Sequence, residues 1–95
     1  MSNSILSNEK ECYCCATTLN LHRHHIFYGM ANRKLSEKDG CWVYLCASHH
    51  NMGTYGVHNG NRRLDVLLKK ECQERWEAIY GTREEFIKRY GKSYL

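Results

Sequence analysis

Cys41-Trp42-Val43-Tyr44-Leu45-Cys46-Ala47-Ser48-His49-His50 joins two signals in one run: an apolar, aromatic and β-branched strand, and a C-x-x-H pair that starts on its last residue. Asp39-Gly40 immediately before it is a turn signal. Upstream, Cys12-Tyr13-Cys14-Cys15 contains the matching C-x-x-C pair. Two such pairs, each in a short turn, offer four soft or borderline ligands that suit a closed tetrahedral Zn²⁺ site. Buried reduced thiols, or a redox C-x-x-C, would leave Cys46 and His49 unexplained. Cys14 competes with Cys12, but adjacent Cys14 and Cys15 would need an unusual turn, so the expected set is Cys12, Cys15, Cys46 and His49. Cys41 and Cys72 fall on apolar faces and read as unliganded core thiols.

Working outward, the 95 residues fit one domain, small enough to need a staple beyond its core. Residues 1–10 read as a polar, loosely held lead and 11–95 as a single domain. The lead has no apolar h-region and no run approaches a membrane span, which points to a reduced cytoplasm and to no membrane partner. In such a compartment Cys and His clusters read as metal ligands before disulfides. The net charge of +4 favours a polyanionic partner.

Residues 20–27 read as the first strand and 41–46 as the second, with a polar loop, 29–39, between them. After a glycine-punctuated loop the texture becomes helical: Leu64, Leu67, Leu68, Cys72, Trp76, Ile79 and Tyr80 recur at three- and four-residue spacing, and Gly81 is placed to end that helix. Thr82 with Glu85 matches a capping box for a second helix carrying Phe86, Ile87 and Tyr90, closed by Gly91. The expected fold class is a small, zinc-stapled α+β domain with a C-terminal helical pair.

His22, His24 and His25 crowd the first strand, His50 follows the zinc pair, and His58 lies just beyond. Any one histidine is more often a surface or satisfied core residue. Closing the knuckle, however, forces the segments bearing His24-His25 and His49-His50 together. A C-x-x-C, then Leu21-His22-Arg23-His24-His25-Ile26, then Leu45-Cys46-Ala47-Ser48-His49-His50-Asn51, resembles the HNH (His-Me finger) endonucleases, especially phage versions with an embedded zinc knuckle. Gly56-Val57-His58 is also similar to phage recombination-enhancement nucleases.

The resemblance implies a ββα-metal core and a metal-dependent endonuclease or nickase acting on DNA in phage DNA processing or recombination. In it, His24 is implied as a ligand of the catalytic ion, His25 as the general base, and His50 as a further ligand, while His58 reads either as another ligand or as a surface histidine at the helix entry. The ion is expected to be Mg²⁺, with Mn²⁺, Ni²⁺ or Zn²⁺ as alternatives. The family's central Asn commonly precedes the L-C cysteine by about five residues. That position here is Cys41, so Asn32 is the expected substitute, with Asn51 an alternative.

Arg23, Arg33, Lys34, Arg62 and Arg63 are expected to track the DNA backbone, while Lys69, Lys70, Arg83, Lys88 and Arg89 read as solvated charges. No base-reading element is visible, so a homodimer or partner protein would supply specificity. The competing reading is a non-catalytic zinc-ribbon module that binds nucleic acid or protein. A zinc hydrolase of another substrate would want an acidic base near the ligands, and the nearest acids, Glu37 and Asp39, sit in the expected loop.

Overall fold

The computed structural model describes residues 3–50, 56 and 61–95. Two short strands, β1 (Leu21–His25) and β2 (Trp42–Cys46), pair antiparallel, with Leu21 opposite Cys46 and His25 opposite Trp42. Helices α1 (Met30–Asp39), α2 (Ala47–His50), α3 (Arg62–Ile79) and α4 (Arg83–Tyr90) complete a small α+β arrangement with the expected C-terminal helical pair. Strand alternation places His22 and His24 on one face with Val43 and Leu45, and Arg23 and His25 on the other with Trp42 and Tyr44.

The segment expected to be a polar loop, 29–39, is instead largely helix α1. It carries good helix formers but no apolar stripe: its buried residues are Ser36 and Asp39, and Met30 is 93% exposed. Polar side chains therefore hold it in place. Ser36 Oγ donates to the Phe27 carbonyl at 2.7 Å and accepts from the Phe27 amide at 3.1 Å, which fastens the helix to the end of β1. Asp39 accepts from Arg89 (2.6 and 2.8 Å), Tyr90 Oη (2.7 Å) and Trp76 Nε1 (2.9 Å), tying α1 to α3 and α4. Burial alone would raise this carboxyl, but the bonds from Arg89, Tyr90 and Trp76 outweigh it and hold Asp39 below its ordinary value.

Gly40 ends α1 in the left-handed conformation, φ 77°, so the turn read from Asp39-Gly40 stands where expected. A Cβ there would collide with the Asn3 carbonyl, because the N-terminal lead runs against this turn: Ile5 N donates to Gly40 O at 2.9 Å, and Ser4 Oγ donates to the Trp42 carbonyl. Ser4 and Ile5 are thus hydrogen-bonded to the segment that leads from Gly40 into β2.

The core gathers Ile26, Phe27, Val43, Leu45, Leu68, Phe86 and Tyr90 around the sheet, with the Cys41 and Cys72 thiols buried among them as expected. Phe27 meets Phe86 edge-on at 5.1 Å, and Trp76 joins α3 to α4 through Phe86 at 5.4 Å. Within α3, Leu68, Cys72 and Trp76 point inward, while Leu67 and Ile79, with Tyr80 just past its end, are about half exposed, so the apolar stripe is narrower than its sequence period suggests. The Thr82–Glu85 capping box forms in both directions, and Gly91 closes α4 at φ 98°. No helix among the described residues is long and apolar enough to cross a membrane.

Candidate metal centre and histidine cavity

The knuckle assembles from two turns. Cys12 N donates to Thr17 O, and Ala16 N to Cys12 O, each at 2.8 Å, curling the first pair back on itself with Ala16 at φ 62°. The second pair is set by α2, whose start is anchored by Ala47 N on the Asn20 carbonyl at 2.9 Å, leaving Cys46 and His49 one turn apart on the same side.

The ligand atoms of Cys12, Cys15, Cys46 and His49 lie within 4.8 Å of one another, and this set could hold a metal such as zinc. The individual separations test the fit. Cys15 Sγ is 3.8 Å from Cys46 Sγ, far beyond a disulfide, while Cys12 Sγ and Cys46 Sγ lie 3.8 and 3.2 Å from His49 Nδ1. A tetrahedron with Zn–S of roughly 2.3 Å and Zn–N of roughly 2.05 Å has S···S edges of about 3.8 Å and S···N edges of about 3.6 Å. The 3.8 Å S···S separation equals that edge, and the two S···N separations, 3.8 and 3.2 Å, fall on either side of theirs. Although burial pushes the Cys12 thiol up, backbone amides of Cys46, Cys15 and Cys14 outweigh it and hold the group below its ordinary value. Cys14 is exposed and outside the set.

Directly beyond His49, His50 meets the histidines of β1. His22 Nδ1 and His50 Nδ1 are 2.9 Å apart, and the His24 and His50 rings stand edge to face with centroids 5.3 Å apart. His24 is 1% exposed, a buried imidazole whose Nε2 is enclosed. A cavity of about 470 Å³ is lined by Arg23, His24, His25, Tyr28, Gly29, Met30, Arg33 and His50, so the end of β1 presents both adjacent histidines to one space despite their opposite faces. A second hollow, about 920 Å³, shares His25, Met30 and Arg33 with it and adds Lys34 and Glu37.

His25 is not isolated there. Its Nε2 lies 2.8 Å from Glu37 Oε1, and Glu37 Oε2 accepts from Arg23 at 2.8 Å. The Arg23 guanidinium in turn sits 3.8 Å over the Trp42 ring. The bond from His25, opposed by burial and reinforced by Arg23, holds the Glu37 carboxyl below its ordinary value. Reading 29–39 as a loop hid this contact, since only the helical placement of Glu37 on α1 carries it to β1.

Of the remaining expected residues, Asn32 lies on α1 and donates from Nδ2 to the Tyr90 carbonyl at 3.1 Å; it is absent from the lining of the cavity. Arg62 and Arg63 open α3 and line a separate hollow with Val66, Leu67 and Lys70. Lys69, expected to be a solvated charge, is paired with Asp65 at 3.0 Å and sits 4.2 Å over the Tyr28 ring. Arg89, expected likewise, is the bidentate partner of Asp39. His58 and Asn51 lie outside the described residues. Among those described, the three thiols and His49 are the one group of three or more metal-ligand side chains converging so closely. Comparison with protein-family models, with curated proteins and with solved structures finds no match.

Proposed function

We propose that this chain is a zinc-stapled, metal-dependent DNA endonuclease or nickase of the HNH type, with a ββα-metal centre. The observation that carries the reading is the cavity in which His24, His25 and His50 meet beside Arg33, with His50 following directly on the knuckle residue His49. A base, metal-binding imidazoles and a cationic rim are what phosphodiester hydrolysis requires.

In this reading His24 and His50, with His58 as a further ligand, would hold a divalent ion, which would supply positive charge to offset that on the phosphate and on the leaving oxygen. His25 takes a proton from water as the water oxygen bonds to phosphorus. The P–O3′ bond breaks, the 3′ oxygen leaves with the electron pair and is protonated from solvent, and a 5′-phosphate remains. Mg²⁺ is the expected cellular ion, although imidazole ligands bind Mn²⁺, Ni²⁺ or Zn²⁺ more strongly. Arg33 and Lys34 flank the two joined hollows and carry the DNA backbone. Arg23, held by Glu37 and Trp42, braces the site instead. A homodimer or partner protein would add sequence specificity, in a phage recombination or DNA-processing role.

Plasmid nicking by the zinc-loaded protein, run across Mg²⁺, Mn²⁺, Ni²⁺ and Zn²⁺, tests this. Wild type should nick, and His25→Ala should lose about 100-fold or more in rate while keeping zinc and fold. If wild type binds DNA without nicking under any of the four metals, the chain is a zinc-ribbon binding module instead.

A further inference from the structure

From the His25–Glu37–Arg23 contacts we infer that Glu37 is the positioning residue of the proposed general base, fixing His25 as the Nε2–H tautomer so that Nδ1 is its basic nitrogen. The inference rests on the nuclease reading for its catalytic meaning and on geometry for its structural content. An ionised carboxylate only accepts hydrogen bonds, so a neutral imidazole whose Nε2 sits 2.8 Å from Glu37 Oε1 carries its proton there. The other nitrogen is then left to accept. Arg23 donates to Glu37 Oε2 at 2.8 Å and rests on Trp42, so both oxygens of the carboxylate are engaged, one by Arg23 and one by His25.

This arrangement does the work that Asn32 was expected to do. Asn32 is committed to the Tyr90 carbonyl, whereas Glu37, five residues further along the same helix, reaches the base. A carboxylate fits the task better than an amide, since it also stabilises the imidazolium that forms once His25 has taken the proton. Glu37 touches neither phosphate nor the attacking water in this scheme; it acts through His25.

The test combines a spectroscopic readout with a kinetic one on the zinc-loaded full chain. Long-range ¹H–¹⁵N spectra of the histidine side chains at a pH where His25 is neutral should show His25 as the Nε2–H form in wild type. Glu37→Ala should convert it to a mixture, and Glu37→Gln, which keeps an acceptor oxygen, should retain most of the wild-type form. Nicking rates at saturating plasmid should fall about 10- to 100-fold in Glu37→Ala, with partial recovery in Glu37→Gln and little change in the half-saturating DNA concentration. Two results overturn the inference: a His25 tautomer indifferent to Glu37→Ala, or equal rate losses in Glu37→Ala and Glu37→Gln with the tautomer unmoved. A wild type that nicks no DNA, yet keeps a Glu37-dependent Nε2–H form, overturns the nuclease reading and upholds the coupling of Glu37 to His25.

Discussion

A carboxylate with donors on every side behaves differently from one on a surface, and Asp39 is the clearest case here. It is 8% exposed and bonded to Arg89, Tyr90 and Trp76. Its folded carboxyl is held below its ordinary value of 3.8, so its contribution to stability is complete above that value and disappears as the pH falls through the lower, folded one. Asp39→Asn should cost roughly 2 kcal/mol at neutral pH, discounted because Arg89 is partly solvated. In urea titrations at fixed zinc, the gap between wild type and variant should narrow as the solution is acidified below the carboxylate range; a constant gap would refute the assignment. None of this was legible in the sequence, where Asp39 read as half of a turn and as an acid at the end of a loop. The knuckle, by contrast, was legible to the residue. Ligand identity and a spacing of three residues are local properties, whereas the partners of Asp39 and Glu37 are gathered by packing.

At the level of elements, β2 was readable because it is a continuous apolar run, and β1 because short apolar pieces flank its histidines. Helix α1 was not, since its period of burial is written in Ser36 and Asp39 rather than in leucines. Its hidden presence also decided the candidate site: a loop leaves Glu37 anywhere, and a helix aims it at His25. The connection from α1 to β2 is the most exacting joint. Gly40 holds φ 77° with the Asn3 carbonyl packed where a side chain would project. Gly40→Ala should therefore destabilise the domain by about 1–3 kcal/mol, through the left-handed backbone and the displaced lead together. Thermal melts of the zinc-loaded variant would check this, and a variant as stable as wild type would show that the lead yields freely.

For the molecule as a whole, the Cys/His cluster joins the start of the chain to the end of the sheet, alongside hydrogen bonds from Tyr13 N to the Tyr44 carbonyl and from Tyr13 Oη to Glu71, each at 2.8 Å. Removal of zinc by a strong chelator should lower the melting temperature sharply and release the knuckle from β2, with loss of near-ultraviolet signal from Tyr13 and Tyr44, and readdition of zinc should restore both. Chelation that leaves the melt unchanged would mean that the core alone suffices. Away from the knuckle, the helices are gathered around a carboxylate. There Asp39 collects donors from α3 and α4, and its own carbonyl accepts from Tyr80 Oη at 2.8 Å. Three helices that meet on one residue are expected to open together rather than one at a time. The slow-exchanging amides of α1, α3 and α4 would then share a single opening reaction, and the time for which any of the three stays protected from solvent deuterium becomes a property of that one carboxylate.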